Sequence, residues 1–389
     1  MAAHGYTSRQ AVSDGTVGKQ KSPLEGLVIV SGQSSIDPAF WNGKNVCLTG
    51  HTGFKGSWLA LWLAGLGAKV HGFSLLPPSQ PSMFDVARVE RVLASHVIGD
   101  IRDAAAVERA MAAASPDIVL HLAAQPLVRL SYAEPLQTFA TNVMGTAYVL
   151  EAARRVSAKA FVSVTTDKCY ENKEWIWAYR ENEALGGHDP YSASKACAEL
   201  VTAAWRTSFG QQEGLRIASA RAGNVIGGGD WALDRLVPDA LRAIDAGVVL
   251  KVRRPRAIRP WQHVLEPLSG YLLLAQRLYR DGDDDAATAW NFGPADTDAR
   301  PVSWILDTLA TSIPELQWQA VEKAGVHEAG LLKLDSAKAH AGLGWAPRWR
   351  IGDALERTAD WHRAWHEGRD MSAFSLEQIA DYQRTGSHG

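Results

Sequence analysis

The stretch Leu48-Thr49-Gly50-His51-Thr52-Gly53-Phe54-Lys55-Gly56-Ser57-Trp58-Leu59 decides how the rest of the chain is read. It follows a short apolar run, Asn45 to Leu48, with the composition of a buried strand. It opens a segment, Ser57 to Gly65, that is apolar nearly all round, as a helix packed under a sheet should be. Gly50, Gly53 and Gly56 punctuate the turn between them. Each has a physical use there: one permits the tight turn, one lets a pyrophosphate approach the backbone, and one lets helix and strand pack closely. The helix N-terminus adds unpaired N–H groups and a partial positive charge suited to a phosphate. Three spaced glycines alone also fit a ligand-free turn, so the reading rests on what surrounds them.

Outward from this turn the chain alternates. Ala68 to Ser74, His96 to Asp100, Asp117 to Ala124, Ala160 to Thr165 and Leu215 to Ala222 read as further strands. Helical patterns fall between them over Ala104 to Ala114, Pro135 to Val156 and Tyr191 to Phe209. This order predicts an α/β fold with a doubly wound parallel sheet. Short apolar strands without polar alternation fit burial on both faces. Residues 1–37 are polar and read as a flexible extension, and residues 38–222 as the domain built on the sheet. Beyond Gly223 the alternation weakens, which predicts a smaller mixed domain over 223–389, with some segments returning to the first.

Composition excludes several classes. Forty Lys and Arg against 42 Asp and Glu give a net charge of −2, so no global field recruits nucleic acid or an acidic membrane. The basic segment Lys251 to Arg256 is too isolated to change that, and the 15 tryptophans are scattered, as core or pocket wall. No apolar run approaches the ~20 residues that span a bilayer, and the N-terminus lacks a signal-peptide pattern. Three cysteines, Cys47, Cys169 and Cys197, without Cys/His spacing predict reduced thiols in the cytoplasm and no metal.

Chemistry concentrates in two segments. Tyr191-Ser192-Ala193-Ser194-Lys195 places Tyr191 and Lys195 on one helix face. A nearby ammonium favours phenolate, so Lys195 is expected to lower the Tyr191 pKa towards the range of a working base. Thr165-Thr166-Asp167-Lys168 closes the fifth strand. In a doubly wound sheet ligands bind outside the carboxyl ends of the strands, so this hydroxyl, carboxylate and amine are placed for catalysis.

Together these residues, with Asp100, Leu122-Ala123-Ala124 and Asn142, resemble the extended short-chain dehydrogenase/reductase family over about Phe40 to Trp361, and within it the nucleotide-sugar 4,6-dehydratase branch. The resemblance implies a Rossmann domain that holds NAD through Gly50, Thr52, Gly53, Phe54, Lys55, Gly56, Asp100, Ile101, Leu122, Ala123, Ala124, Asn142, Tyr191 and Lys195. It implies a nucleotide sugar bound by Gln125, Asn224, Trp231, Arg235 and Arg259, where the planar guanidinium of Arg259 suits a diphosphate. Thr166, Asp167, Lys168, Tyr191 and Lys195 are the implied catalytic set. Tyr191 takes the 4-OH proton, Thr166 bonds the same oxygen, Lys195 holds the nicotinamide ribose, and Asp167 protonates the departing 6-hydroxyl. Most of the branch carries Thr-Asp-Glu where this chain has Thr166-Asp167-Lys168. The lysine, with HTGFKGSWL, LAAQPLVR, RAGNVIGGGDW and RPWQHVLEPL, resembles members acting on CDP-glucose. Lys168 then either abstracts the C5 proton, with its pKa depressed by desolvation and Lys195, or stays cationic on the enolate; the first is preferred. The resemblance also implies a homodimer through a four-helix bundle of Pro135–Val156 and Tyr191–Phe209, or a tetramer built on it.

The second strand ends His71-Gly72-Phe73-Ser74, without the acid that NAD-selective relatives carry, and Lys55 could favour a 2′-phosphate. NAD is expected because the redox cycle is internal. The rival readings are a 4-epimerase, a dehydratase of dTDP-, UDP- or GDP-sugars, and a non-catalytic NAD(P)-sensing protein. An epimerase needs no acid at Asp167, and a sensor needs no Tyr/Lys pair.

Overall fold

The structure, a computed structural model, describes residues 35–280, 284–321 and 331–386. The predicted extension therefore lies, up to residue 34, outside the described residues. Seven strands form the main sheet: β1 (Asn45–Thr49), β2 (Lys69–Ser74), β3 (Ser95–Ile98), β4 (Ile118–His121), β5 (Ala160–Val164), β6 (Arg216–Ala222) and a late one, Ala289–Phe292. Between β6 and that late strand lie β7 (Asn224–Ile226), β8 (Leu250–Val252) and β9 (Ile258–His263), so the late strand is β10; β11 (Ala299–Pro301) and β12 (Trp318–Ala320) follow. The sheet order is β10-β6-β5-β4-β1-β2-β3, and every pairing is parallel. The order reverses between β1 and β4, so the crevice at their carboxyl ends is where such a sheet binds a ligand.

Strands β1, β4 and β5 are buried almost throughout because helices cover both faces. One face carries the helix Phe54–Gly65, including fully buried Trp58 and Trp62, together with the helix Leu265–Arg280. The other carries the helices Ala104–Ala114 and Thr146–Arg155. A third cluster, with Ile226, Val237, Trp261, Ile305, Leu309 and Leu355, forms the core beneath β9 and its neighbours. Late segments return to the main sheet: β10 pairs with β6, and Glu266 accepts hydrogen bonds from Trp349 N and the Tyr382 hydroxyl, tying down the last helix, Met371–Arg384.

Two local differences from the sequence reading have physical causes. The stretch from Pro135 is not one regular helix: Ala140–Gly145 forms a wide π-type turn between Pro135–Phe139 and Thr146–Arg155. Just after it Thr146 Oγ1 donates to the Asn142 carbonyl and lies 3.0 Å from a buried His121 nitrogen, and Gly145 lies close against the Ile101 side chain. Strand β10 has only four residues, and only its pairing with β6, distant along the chain, makes it part of the sheet. Among the described residues no helix is long and apolar enough to cross a membrane.

Candidate active site

The glycine turn sits at the end of β1, and its three glycines differ in what they meet. Gly50 has φ +78°, and a Cβ there would stand 2.7 Å from Ala123 N, just beyond β4. On Gly56 a Cβ would stand 2.1 Å from the Gly50 carbonyl oxygen, so this glycine lets the helix close onto the turn. Gly53 meets nothing nearer than 3.4 Å; it is the N-cap of Phe54–Gly65 and makes no side-chain capping bond. The first-turn amides of that helix are thus left for a ligand, beside a backbone with no side chain to obstruct approach.

Other predicted cofactor residues frame the crevice, several with polar groups already engaged. Thr52 Oγ1 lies 2.8 Å from Ser74 Oγ and donates to the Leu75 carbonyl, fastening the turn to the end of β2. Leu122 and Ala123 each donate a backbone N–H to Thr49 Oγ1, with Ala124 next in the chain. The Asp100 carboxylate is held below its usual range by Arg102, whose Nε donates at 2.9 Å. Ile101 is buried against Gly145. Asn142 Oδ1 accepts from Gln125 N, while its Nδ2 donates to the Gln125 carbonyl and Ser194 Oγ. Asn142 therefore clamps the loop after β4 to the helix Pro190–Trp205, and the Gln125 amide is likewise tied to Thr138.

At the end of β5, Thr166 Oγ1 donates to Asp167 Oδ1 at 2.9 Å and also caps the short turn Asp167–Cys169. Asp167 is 5 % exposed. Burial pushes its carboxyl up, against the pull of Lys168, Thr166, Arg259 and Lys55. Lys168 is half-buried, with Nζ 6.0 Å from the centroid of the Tyr191 ring. Tyr191 opens the helix Pro190–Trp205 one turn before Lys195, and both are buried. Thr166, Asp167, Lys168, Tyr191 and Lys195 thus lie together where the end of β5 meets the start of the helix Pro190–Trp205.

The electrostatics correct the sequence reading at two points. Burial pushes the Tyr191 phenol up to about 12. The groups that oppose burial are the Thr166 hydroxyl and the Arg235 charge, rather than Lys195 as expected. Lys195 reaches back to the Val164 carbonyl at 3.4 Å and is lowered by burial to about 8, against the Glu199 carboxylate. The second point is Lys55. Burial lowers it to about 8, and the charges it feels are Arg235, Asp167, Lys195 and Asp230. Its neighbour Phe54 touches Gly227, and Trp58 one turn on donates to the Gly228 carbonyl at 2.9 Å. Lys55 belongs to the catalytic end of the crevice, and a role on a ribose 2′-phosphate near the end of β2 does not fit that placement.

The predicted substrate residues surround this end. Asn224 begins β7, half-buried, and its side chain makes no protein hydrogen bond among the described residues. Arg235 donates to buried Asp230 at 3.2 Å, and Trp231 packs edge-on against Trp361 and Trp365. Arg259, on β9, lies close enough for its charge to act on Asp167.

Two residues escaped the sequence reading. Arg300 on β11 is the register partner of Arg259, and its buried Nε has no hydrogen-bond partner among the described residues. Directly opposed strand residues share a face, and like charges there repel unless an anion joins them. Nothing local in the sequence pairs these residues. Glu199 follows Tyr191 and Lys195 at the same helical interval, a signal the sequence did carry. It forms a buried 2.8 Å ion pair with Arg221, accepts from Ser219 Oγ, and anchors the floor beneath Lys195.

Comparison with known proteins places the chain in a family. Residues 46–291 match the NAD dependent epimerase/dehydratase family. The chain is 52 % identical over 354 residues to the CDP-glucose 4,6-dehydratase of Salmonella typhimurium, covering 89 % of this chain and 98 % of that one. It is 32 % identical to the dTDP-glucose 4,6-dehydratase of Streptomyces antibioticus, covering 70 % and 78 % respectively. In fold it is similar to the Streptomyces venezuelae dTDP-glucose 4,6-dehydratase solved with NAD bound, with a TM-score of 0.72, 24 % identity, and 84 % and 99 % of the two chains covered.

Proposed function

The chain belongs to the NAD dependent epimerase/dehydratase family, and from that membership we propose that it is a hydro-lyase converting CDP-glucose to CDP-4-dehydro-6-deoxyglucose. Residues 38–222 provide most of the NAD site and most of 223–389 the nucleotide-sugar site. The fit to NAD rests on the uncapped helix behind Gly53 and on the buried Tyr191/Lys195 pair at the far end of the same crevice. Bound there, NAD supplies reversible hydride acceptance, so one carbon of the sugar is oxidised and another later reduced with no net consumption of cofactor.

The chain's own residues then divide the proton work. Tyr191 takes the proton from the sugar 4-OH, with Thr166 bonded to the same oxygen. Thr166 and Arg235 are the groups that favour its phenolate. The resulting 4-ketone acidifies the C5 proton. Asp167, whose carboxyl burial pushes up towards the range of a working acid, donates a proton to the departing 6-hydroxyl, which leaves as water across C5–C6. Lys168 serves C5 as the base, from its position over the Tyr191 ring. Arg259 and Arg300, side by side on β9 and β11, grip the diphosphate. Lys195 orients the nicotinamide ribose.

The observation that carries this reading is the buried, raised carboxyl of Asp167 between Thr166 and Lys168, a proton donor that an epimerase does not require. The test is incubation with CDP-, dTDP-, UDP- and GDP-sugars, followed by absorbance of a 4-keto-6-deoxy product in base. Efficient product formation is expected from CDP-glucose, without NADH release. An epimerised sugar that keeps its 6-hydroxyl would overturn the assignment.

The enzyme works as a homodimer through a four-helix bundle. The helices Pro135–Phe139 and Pro190–Trp205 expose Leu136 (85 %) and Leu200 (59 %), and Phe139 and Met144 are exposed as well, apolar surface that a second copy would cover. All three cysteines are free, which fits a reducing cytoplasm.

A further inference from the structure

Composition and cysteine spacing predict no metal in this chain, but one histidine pair has the spacing of metal ligands. His362 and His366 lie one turn apart on the helix Ile351–His366, the i, i+4 spacing that turns two imidazoles to one side. Asp245 is the last residue of the helix Leu236–Asp245, whose C-terminal end reaches this histidine pair. The three side chains converge: each His Nε2 lies 2.9 Å from Asp245 Oδ1, and the two Nε2 atoms are 3.2 Å apart.

With the carboxylate ionised, protons leave one edge of this triangle unsatisfied. An ionised carboxylate only accepts, so both nitrogens must carry N–H to bond it, and two donors then face each other across 3.2 Å. If one nitrogen is unprotonated, its lone pair faces the carboxylate instead. A cation resolves all three edges together. A point ~1 Å off the plane of the three atoms is ~2.1 Å from each, the bond length of a tetrahedral zinc site.

We propose that Asp245, His362 and His366 form a binding site for a divalent transition-metal ion of the zinc type. Two imidazoles and one carboxylate are a ligand set suited to Zn²⁺ and unsuited to Mg²⁺ or Ca²⁺, which prefer oxygen. The site opens into a recess of about 490 Å³ whose other wall includes Pro314 and Glu315. Glu315 or a solvent molecule completes the fourth position. Arg363 also lines the recess, but its guanidinium is held by Asp360 and the Ser312 carbonyl. The ion joins the helix Ile351–His366 to the C-terminal end of Leu236–Asp245. The other end of that helix begins beside Arg235, some ~15 Å away at 1.5 Å per residue, so the metal braces the substrate lobe and takes no part in the reaction.

The full chain, stripped with a chelator, is titrated with Zn²⁺ in competition with a chromophoric chelator and, separately, with Co²⁺. One equivalent is expected to bind, with a visible four-coordinate Co²⁺ spectrum. His366→Ala, at an exposed position, and Asp245→Asn should each weaken Zn²⁺ binding at least ~10-fold and abolish that spectrum. Product formation from CDP-glucose should persist in both. Equal Zn²⁺ affinity and stoichiometry in the wild type and both variants, or no binding by the wild type, would overturn the proposal.

Discussion

Gly223 and Asp167 meet across the carboxyl ends of β5 and β6: a Cβ on Gly223 would stand 3.0 Å from Asp167 Oδ2. The carboxyl is thus seated against bare backbone, fixed by Thr166 on one side and by the missing side chain on the other. Asp167→Asn keeps the shape but removes the transferable proton, so elimination should slow by ~10²–10⁴-fold while oxidation at C4 survives. Single-turnover nicotinamide absorbance should rise and persist, with a 4-keto sugar retaining its 6-hydroxyl seen by mass. Gly223→Ala, which only nudges the carboxyl, should cost up to ~10-fold in the same step. Normal turnover in Asp167→Asn would sink the acid assignment.

Arg235 and Thr166 lower the Tyr191 pKa against burial, and in the proposed mechanism they set the pH at which it works. Burial pushes the phenol up to about 12, and these two neighbours pull it down. The base must be deprotonated to act, so kcat/KM rises with pH through its titration. Removing either helper raises the pKa and moves that rise to higher pH. Arg235→Gln and Thr166→Val should both shift the acid limb of the pH profile upward. A lowered plateau with an unmoved limb would mean that these residues only bind the sugar.

Lys168 separates two versions of the C5 chemistry. If it abstracts the proton, Lys168→Glu supplies another base and should retain at least ~10-fold more dehydration than Lys168→Met. If its charge instead stabilises the enolate, the glutamate repels that charge and should be the slower of the two. We expect the first order, measured as single-turnover loss of the 6-hydroxyl.

The exposed apolar face can be broken without touching the pocket. Leu200 is 59 % exposed on the side of its helix away from the buried Tyr191 and Lys195. Leu200→Asp places a charge in the proposed interface and should shift the mass seen by light scattering from dimer to monomer. A monomeric wild type at micromolar concentration would rule the bundle out.

What could be read from the sequence is what depends on neighbours along the chain. The glycine turn, the Tyr191/Lys195 spacing and the strand-end Thr166-Asp167-Lys168 are local patterns: backbone geometry gives their placement, and the family resemblance implies their roles. The alternation of buried strands and helices announced the parallel sheet for the same reason. The rest required register and packing between distant segments. Only the pairing of β9 with β11 sets Arg300 beside Arg259, and only the joining of β10 to β6 completes the sheet. Only the packing of the glycine-turn helix against the loop at Gly227 and Gly228 brings Lys55 to the catalytic end, and Arg235 to within electrostatic reach of Tyr191 was likewise invisible along the chain. Asp245 reaches His362 across 117 positions of sequence. Charge acts through space, and no period along the chain records which residues a fold will bring within its range.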